Sequence, residues 1–157
     1  VRYAETDQMG VAYYGNYFAW FEVGRTEFCR QHGFSYKEME DKAERFLPVS
    51  EAYCRYLRPL RYDSEFIVRT HVNKLRRRAV TFVYQILDLN SEEVYAEGKT
   101  IHIVVDRTGK PKTFPEHYRD LFNSTNGESV DTHLWFLDIK GFYIACYDYF
   151  IQTFRSF

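Results

Sequence analysis

Residues 3 to 33 constrain the fold of this chain more than any other stretch. They open as Tyr3-Ala-Glu-Thr-Asp7-Gln-Met-Gly10-Val-Ala-Tyr-Tyr14-Gly15-Asn16-Tyr17 and continue as a long apolar segment to His32-Gly33. The segment begins as a strand, places one carboxylate in a loop, and feeds glycine and asparagine into a helix. A carboxylate beside the oriented N–H groups of a helix start is where a reaction site can be built. Asn16 is a good N-cap and Gly33 a good C-terminal stop. Between them Tyr17, Phe21, Gly24 and Phe28 recur at helical spacing, and Trp20 and Val23 widen the stripe. Polar positions are few, so the first half of the helix is expected to be buried nearly all round. Such a helix, roughly 25 Å long, requires a sheet wrapped around it.

The rest of the chain supplies the strands. Ser35 to Glu38 has capping-box spacing and predicts a short polar helix to about Glu44. An extended segment follows Pro48 to Leu57. Phe66, Val68 and Val72 alternate with Arg69, His71 and Asn73, the mark of a half-buried antiparallel strand. Ala79 to Leu89 is apolar on both faces and reads as an interior strand. From Val94 to Val105 one face reads Ala96, Gly98, Thr100, small enough to let a helix approach closely. Pro115 and Glu116 suit a short helix start. One helix followed by several strands and short turns is an α+β arrangement. With 157 residues, 45% of them hydrophobic, the chain suffices for a single core.

A net charge of -1 gives no global attraction to nucleic acid or membrane, so any anion site must be local. Cys29, Cys54 and Cys146 stand at unrelated spacings, which argues for a reducing compartment, expected to be the cytoplasm. No apolar run is uncharged and long enough to span a bilayer. The five histidines show no ligand spacing, so no metal site is expected. The chain begins at Val1 and is expected to lack a few N-terminal residues.

The pattern Asp7-x-x-Gly10-x-x-Tyr13-Tyr14-x-Asn16-Tyr17, with Glu22 and Arg25 on the helix behind it, resembles the hotdog-fold acyl-CoA thioesterases. The similarity is to the branch of 4-hydroxybenzoyl-CoA thioesterase and the Tol-Pal-associated thioesterases. Ala96-x-Gly98-x-Thr100 and the turn Asp106-Arg-Thr-Gly109-Lys-Pro111 extend it, and it runs from Val1 to about Phe122. It implies an antiparallel sheet wrapped around one long central helix over residues 1–122, and a homodimer or homotetramer with the site between subunits. It implies no cofactor. Residues 123–157 fall outside it: Ser124 to Ser129 is linker-like, and Leu134 to Phe157 is an atypical aromatic-rich extension. An added amphipathic helix and an unrelated terminus are both open readings of it.

On spacing alone Asp7 is a turn former. The resemblance makes it the catalytic carboxylate, nucleophile or general base, with the N–H groups near Tyr14 and Gly15 polarising the thioester carbonyl. Gly10, Gly15 and Asn16 would line the approach of the substrate. Many Tol-Pal-associated members carry histidine where this chain has Tyr14. A phenol with a pKa near ~10 is a poor proton shuttle, so Tyr14 is assigned its backbone N–H. Glu22 and Arg25, at i and i+3, read as a helix ion pair. Lys74-Leu-Arg76-Arg77-Arg78 falls at a strand-to-strand turn; it is either a solvated tip or a patch for coenzyme A phosphates. RNA binding is disfavoured because no RNA-binding motif accompanies it. The alternative to an enzyme is a non-catalytic acyl-thioester binding protein of the same fold.

Overall fold

The structure, a computed structural model, describes residues 1–125 and 127–134. After a 3-10 turn at Tyr3–Glu5, the long helix α1 spans Asn16–Gln31 and the short helix α2 spans Tyr36–Ala43. Four strands follow: β1 (Val49–Tyr56), β2 (Phe66–Arg76), β3 (Ala79–Asp88) and β4 (Val94–Ile103). Helix α3 (Glu116–Ser124) and strand β5 (Ser129–His133) complete the described chain. The five strands form one sheet in the order β1-β4-β3-β2-β5, every neighbouring pair antiparallel. This is the α+β arrangement expected, with β3 in the middle of the sheet.

Alternation of side chains sets the inner face. Phe66, Val68, Thr70 and Val72 on β2, Val80, Phe82, Tyr84 and Ile86 on β3, and Ala96, Thr100 and His102 on β4 are all buried. Against them α1 lays Tyr17, Trp20, Phe21, Gly24 and Phe28. Two glycines permit this contact. A Cβ on Gly98 would lie 2.3 Å from Phe21 Cε2, and one on Gly24 would lie 2.7 Å from both Thr70 Oγ1 and Val68 Cγ1. The Phe21 ring fills the space over Gly98 and stacks on Tyr84, centroids 4.5 Å apart and 12° from parallel.

Some local expectations shift. Gly15, not Asn16, is the N-cap of α1, because the Asn16 amide turns back to donate to the Glu5 carbonyl at 2.7 Å. Ser35 does cap α2, accepting from the Glu38 N–H. Gly33 ends the first helix with φ +73°. The helix is buried on one side only: Phe18, Ala19 and Val23 are half-exposed. Strand β1 is exposed on both faces apart from half-buried Cys54, because it lies at the sheet edge beyond the cover of the helix. Within the linker-like stretch at Ser124 to Ser129, Ser124 ends α3 and Ser129 opens β5, and the Glu128 N–H donates to the Thr125 carbonyl at 2.9 Å. Strand β5 pairs with β2 from Ile67↔His133 to His71↔Ser129. The aromatic-rich stretch from 135 onward lies outside the described residues.

Candidate active site

Asp7 sits in a short loop that folds back on itself. Thr6 and Ala12 form an antiparallel bridge, and the Asp7 N–H donates to the Val11 carbonyl at 2.8 Å. Inside this loop the carboxylate makes an Asx turn: Oδ1 accepts from the Met9 N–H at 2.8 Å and, more weakly, from Val11 N–H at 3.5 Å. The Asp7 carbonyl accepts from Gly10 N–H at 3.0 Å. Gly10 has φ +71° with nothing within 4 Å of a would-be Cβ, so glycine is required there by backbone conformation rather than by crowding. Asp7 is therefore a turn former, as its spacing implies. It shapes a turn through one oxygen, and the hydrogen bonds found among the described residues leave the other oxygen unengaged.

The loop returns through Tyr13, whose N–H donates to the Glu5 carbonyl at 2.8 Å, and then enters α1. Among the described residues, the Tyr14 and Gly15 N–H groups have no hydrogen-bond acceptor. They stand at the positive end of the helix dipole, where a developing oxyanion is stabilised. The Tyr14 side chain is 61% exposed, while its carbonyl accepts from Tyr56 Oη at 3.0 Å. Burial, followed by the hydrogen bond with Cys54, pushes the Tyr56 phenol up, so it remains a donor. Tyr13 packs on Tyr14 with centroids 4.5 Å apart, and a Cβ on Gly15 would come within 2.8 Å of the Tyr13 ring. The entrance to the helix is thus an open, tyrosine-lined surface beside the Asp7 loop.

Glu5 had no role in the sequence reading. It is 7% exposed, and its carboxylate accepts from Arg2 N at 2.8 Å, Arg2 Nη2 at 2.7 Å and Trp20 Nε1 at 3.2 Å. Burial works to raise its pKa, but these donors outweigh it and hold the carboxyl below the usual range. The only sequence signal was its place two residues before Asp7, with a tryptophan on the facing helix turn.

Glu22 and Arg25 form the expected ion pair, yet only half of its environment was legible. Arg25 is 6% exposed and turns into the sheet, where Nη1 meets the His102 ring. His102 Nδ1–H donates to the Leu47 carbonyl at 3.0 Å, so Nε2 is the acceptor; it receives the Thr100 hydroxyl at 2.8 Å, which in turn receives Tyr84 Oη at 2.7 Å. Burial first, then the neighbouring Arg25 cation, lowers the His102 pKa to about 3, so the ring is neutral. This chain braces the back of α1 and does not reach the Asp7 loop.

Arg76, Arg77 and Arg78 are not brought to that loop. Trp20, one turn into α1, packs on Phe66 at the start of β2, whereas Arg76 ends the same strand. At ~3.3 Å per residue the separation along β2 is roughly 33 Å. The Arg77 and Arg78 carbonyls accept from Phe114 and Val104, which ties the tip to the far end of the sheet.

The sheet packed on one long helix, with a carboxylate loop at the helix start, is the architecture of a hotdog thioester hydrolase. The chain belongs to the thioesterase-like superfamily, whose family model matches residues 1–122. It is 36% identical over 121 residues to Bacillus subtilis YneP, provisionally named an acyl-CoA thioesterase, covering 76% of this chain and 86% of that one. It is 28% identical over 117 residues to the acyl-CoA thioester hydrolase YbgC of Escherichia coli, covering 74% and 86%. The crystal structure of a DHNA-CoA thioesterase from Staphylococcus aureus superposes with a TM-score of 0.73 at 32% identity, covering 80% of this chain and 86% of that one.

Proposed function

We propose that this chain hydrolyses acyl-CoA thioesters to free acid and coenzyme A, with Asp7 as the reacting carboxylate. In one route a carboxylate oxygen attacks the thioester carbonyl, the thiolate leaves, and water cleaves the resulting anhydride to restore Asp7. In the other, Asp7 takes a proton from the attacking water and passes it to the departing sulfur. Either way negative charge develops on the carbonyl oxygen, and the Tyr14 and Gly15 N–H groups are the donors that meet it. The thiol, with a pKa near ~8.5, leaves with little help. The observation that carries this reading is the pairing of a carboxylate fixed through one oxygen with unpaired amides at the start of α1. The family and the names of its members support the acyl-CoA thioester hydrolysis.

The reading includes a homodimer or homotetramer. Among the described residues strand β1 has an unpaired edge and exposes Val49, Tyr53 and Tyr56, and an edge of that kind pairs readily with a second copy. Two-fold pairing along β1 would set the far end of one sheet beside the Asp7 loop of the other. Arg76, Arg77 and Arg78 would then serve coenzyme A phosphates across subunits. Among the described residues no helix is long and apolar enough to cross a membrane, and Cys29 and Cys54 are free thiols, which supports a cytoplasmic setting.

Replacing Asp7 with Asn keeps the turn acceptor and removes the charge and basicity. With acetyl-, palmitoyl- and benzoyl-CoA assayed by thiol release, kcat on the best substrate is expected to fall at least about 100-fold, with binding retained. Turnover of Asp7→Asn at the wild-type rate would remove Asp7 from the mechanism. A wild-type chain that binds these thioesters without hydrolysing any would be a binding protein.

A further inference from the structure

We propose that Glu5 is the positioning residue of this site: its side chain fixes the Asp7 segment against the first turns of α1, and turnover depends on it although it touches no substrate. The proposal rests on Asp7 as the reacting group. The hydrogen bonds of Asp7 itself are all local, to Met9, Gly10 and Val11, so they set the shape of the loop but not its placement over the helix. Glu5 supplies the placement over α1, while the Ala12 N–H, donating to the Leu60 carbonyl at 2.8 Å, and the Val11–Arg61 bridge tie the other side of the loop to the segment before β2. Through its carboxylate Glu5 holds Arg2 on one side and the Trp20 indole on the other; through its carbonyl it holds the Tyr13 N–H and the Asn16 amide. Glu5 thus accepts five hydrogen bonds, from Arg2, from the end of the loop and from α1, and its own N–H donates to the Arg2 carbonyl.

The side-chain half of this junction can be removed without disturbing the peptide. Glu5→Ala leaves the carbonyl in place but orphans a buried indole N–H and releases Arg2, whose guanidinium lies 2.7 Å from the carboxylate. The Asp7 carboxylate and the Tyr14 and Gly15 amides would then lose the side-chain half of their common anchor. A displacement of about 1 Å between reacting groups is enough to cost about 100-fold in rate. Glu5→Gln keeps an acceptor for Trp20 Nε1. Trp20→Phe removes the same donor while preserving ring packing on Phe66, at 4.5 Å.

The test measures loop and chemistry separately. Amide exchange read by mass spectrometry over residues 7–15, with β3 as the internal reference, reports positioning whether or not the chain turns over a thioester. Glu5→Ala is expected to speed exchange in 7–15 by about tenfold and leave β3 unchanged. On the best of acetyl-, palmitoyl- and benzoyl-CoA, its kcat is expected to fall by about 10- to 100-fold with KM within about twofold. Glu5→Gln should recover most of that loss, and Trp20→Phe combined with Glu5→Ala should lose less than the sum of the two. Unchanged exchange in 7–15 would overturn the proposal. Faster exchange with undiminished kcat would overturn it too, by reducing Glu5 to a fold contact. If the wild type hydrolyses none of the three thioesters, the reading of the function fails by itself, and exchange still decides whether Glu5 holds the loop.

Discussion

Gly98 is where the approach of α1 to the sheet can be tested by one carbon atom. A Cβ added there would lie 2.3 Å from Phe21 Cε2 and 2.4 Å from Cζ. Carbon atoms in good contact sit about 3.5–4.0 Å apart, so more than about 1 Å of relief is needed. Phe21 is 1% exposed and already stacked on Tyr84, so its ring has no outward rotamer to take. Either the stack opens or α1 lifts from the sheet. Overpacking of this kind costs about 1–3 kcal/mol, and a clash with a buried ring that is already stacked argues for about 3. For a chain of this size that lowers Tm by about 6–12 °C. Thermal unfolding followed by circular dichroism measures it for Gly98→Ala. Combining the change with Phe21→Leu should restore part of the loss, because the smaller side chain vacates the space the methyl needs. A lift of α1 also moves the Tyr14 and Gly15 amides, so kcat should fall with stability. Gly98→Ala with an unaltered Tm, or with no gain from Phe21→Leu, would refute the close contact.

His102 should make the protein acid-sensitive. Its pKa is about 3 in the fold against 6.5 when unfolded, so below pH 6.5 the unfolded chain binds a proton that the folded one refuses. That contribution is complete above pH 6.5 and declines by about 1.4 kcal/mol per pH unit down to pH 3. Urea midpoints at pH 7.5 and pH 5.0 should differ less in His102→Gln than in the wild type, and an equal difference would dismiss the group. Replacing Arg76, Arg77 and Arg78 with Ala is expected to raise KM for an acyl-CoA in a salt-dependent way and to affect the matching pantetheine thioester less. Equal effects would return those residues to a solvated tip. Light scattering should find a dimer or tetramer, which Tyr53→Lys on the exposed edge of β1 should weaken; a fully active monomer would refute the assembly.

The sequence made legible what depends on period and on local chemistry. The α1 stripe, the interior character of β3, the Ser35 cap and the small residues on β4 each come from a few neighbours in the chain. What escaped was set across the fold. Asn16 resembles a cap, but the Glu5 carbonyl competes for its amide, and that carbonyl reaches it only once the loop has closed. Arg25 resembles half of a surface pair, because nothing in residues 22 to 25 tells that His102, on a strand more than seventy residues later, waits behind it. Strand β5 was hidden by its turn-rich approach, although Val130 and Thr132, both buried, carried the alternation of a strand. At the site, the Asp7 loop and the helix start were both legible, and Glu5, which joins them, was not.

Most of the hydrogen bonds that place Asp7 and the Tyr14 and Gly15 amides, the proposed reacting groups, lie between Arg2 and Trp20, and Leu60, Arg61 and Tyr56 tie that segment to the rest of the fold. Around those groups Met9, Tyr13 and Tyr14 are exposed at 76, 45 and 61%. A half-buried carboxylate and amides beside such exposed neighbours gain little over solvent, since their worth to a developing oxyanion rests on a low local dielectric. On the proposed chemistry, a segment that aligns these groups but leaves their surroundings exposed would be half of a site, and the other half would be a wall. The edge of β1, unpaired among the described residues, lies beside it, with Tyr56 reaching from that strand to the Tyr14 carbonyl. A second copy laid along β1 would cover the tyrosines and exclude water from Asp7 in the same act, which ties the proposed chemistry to the proposed assembly.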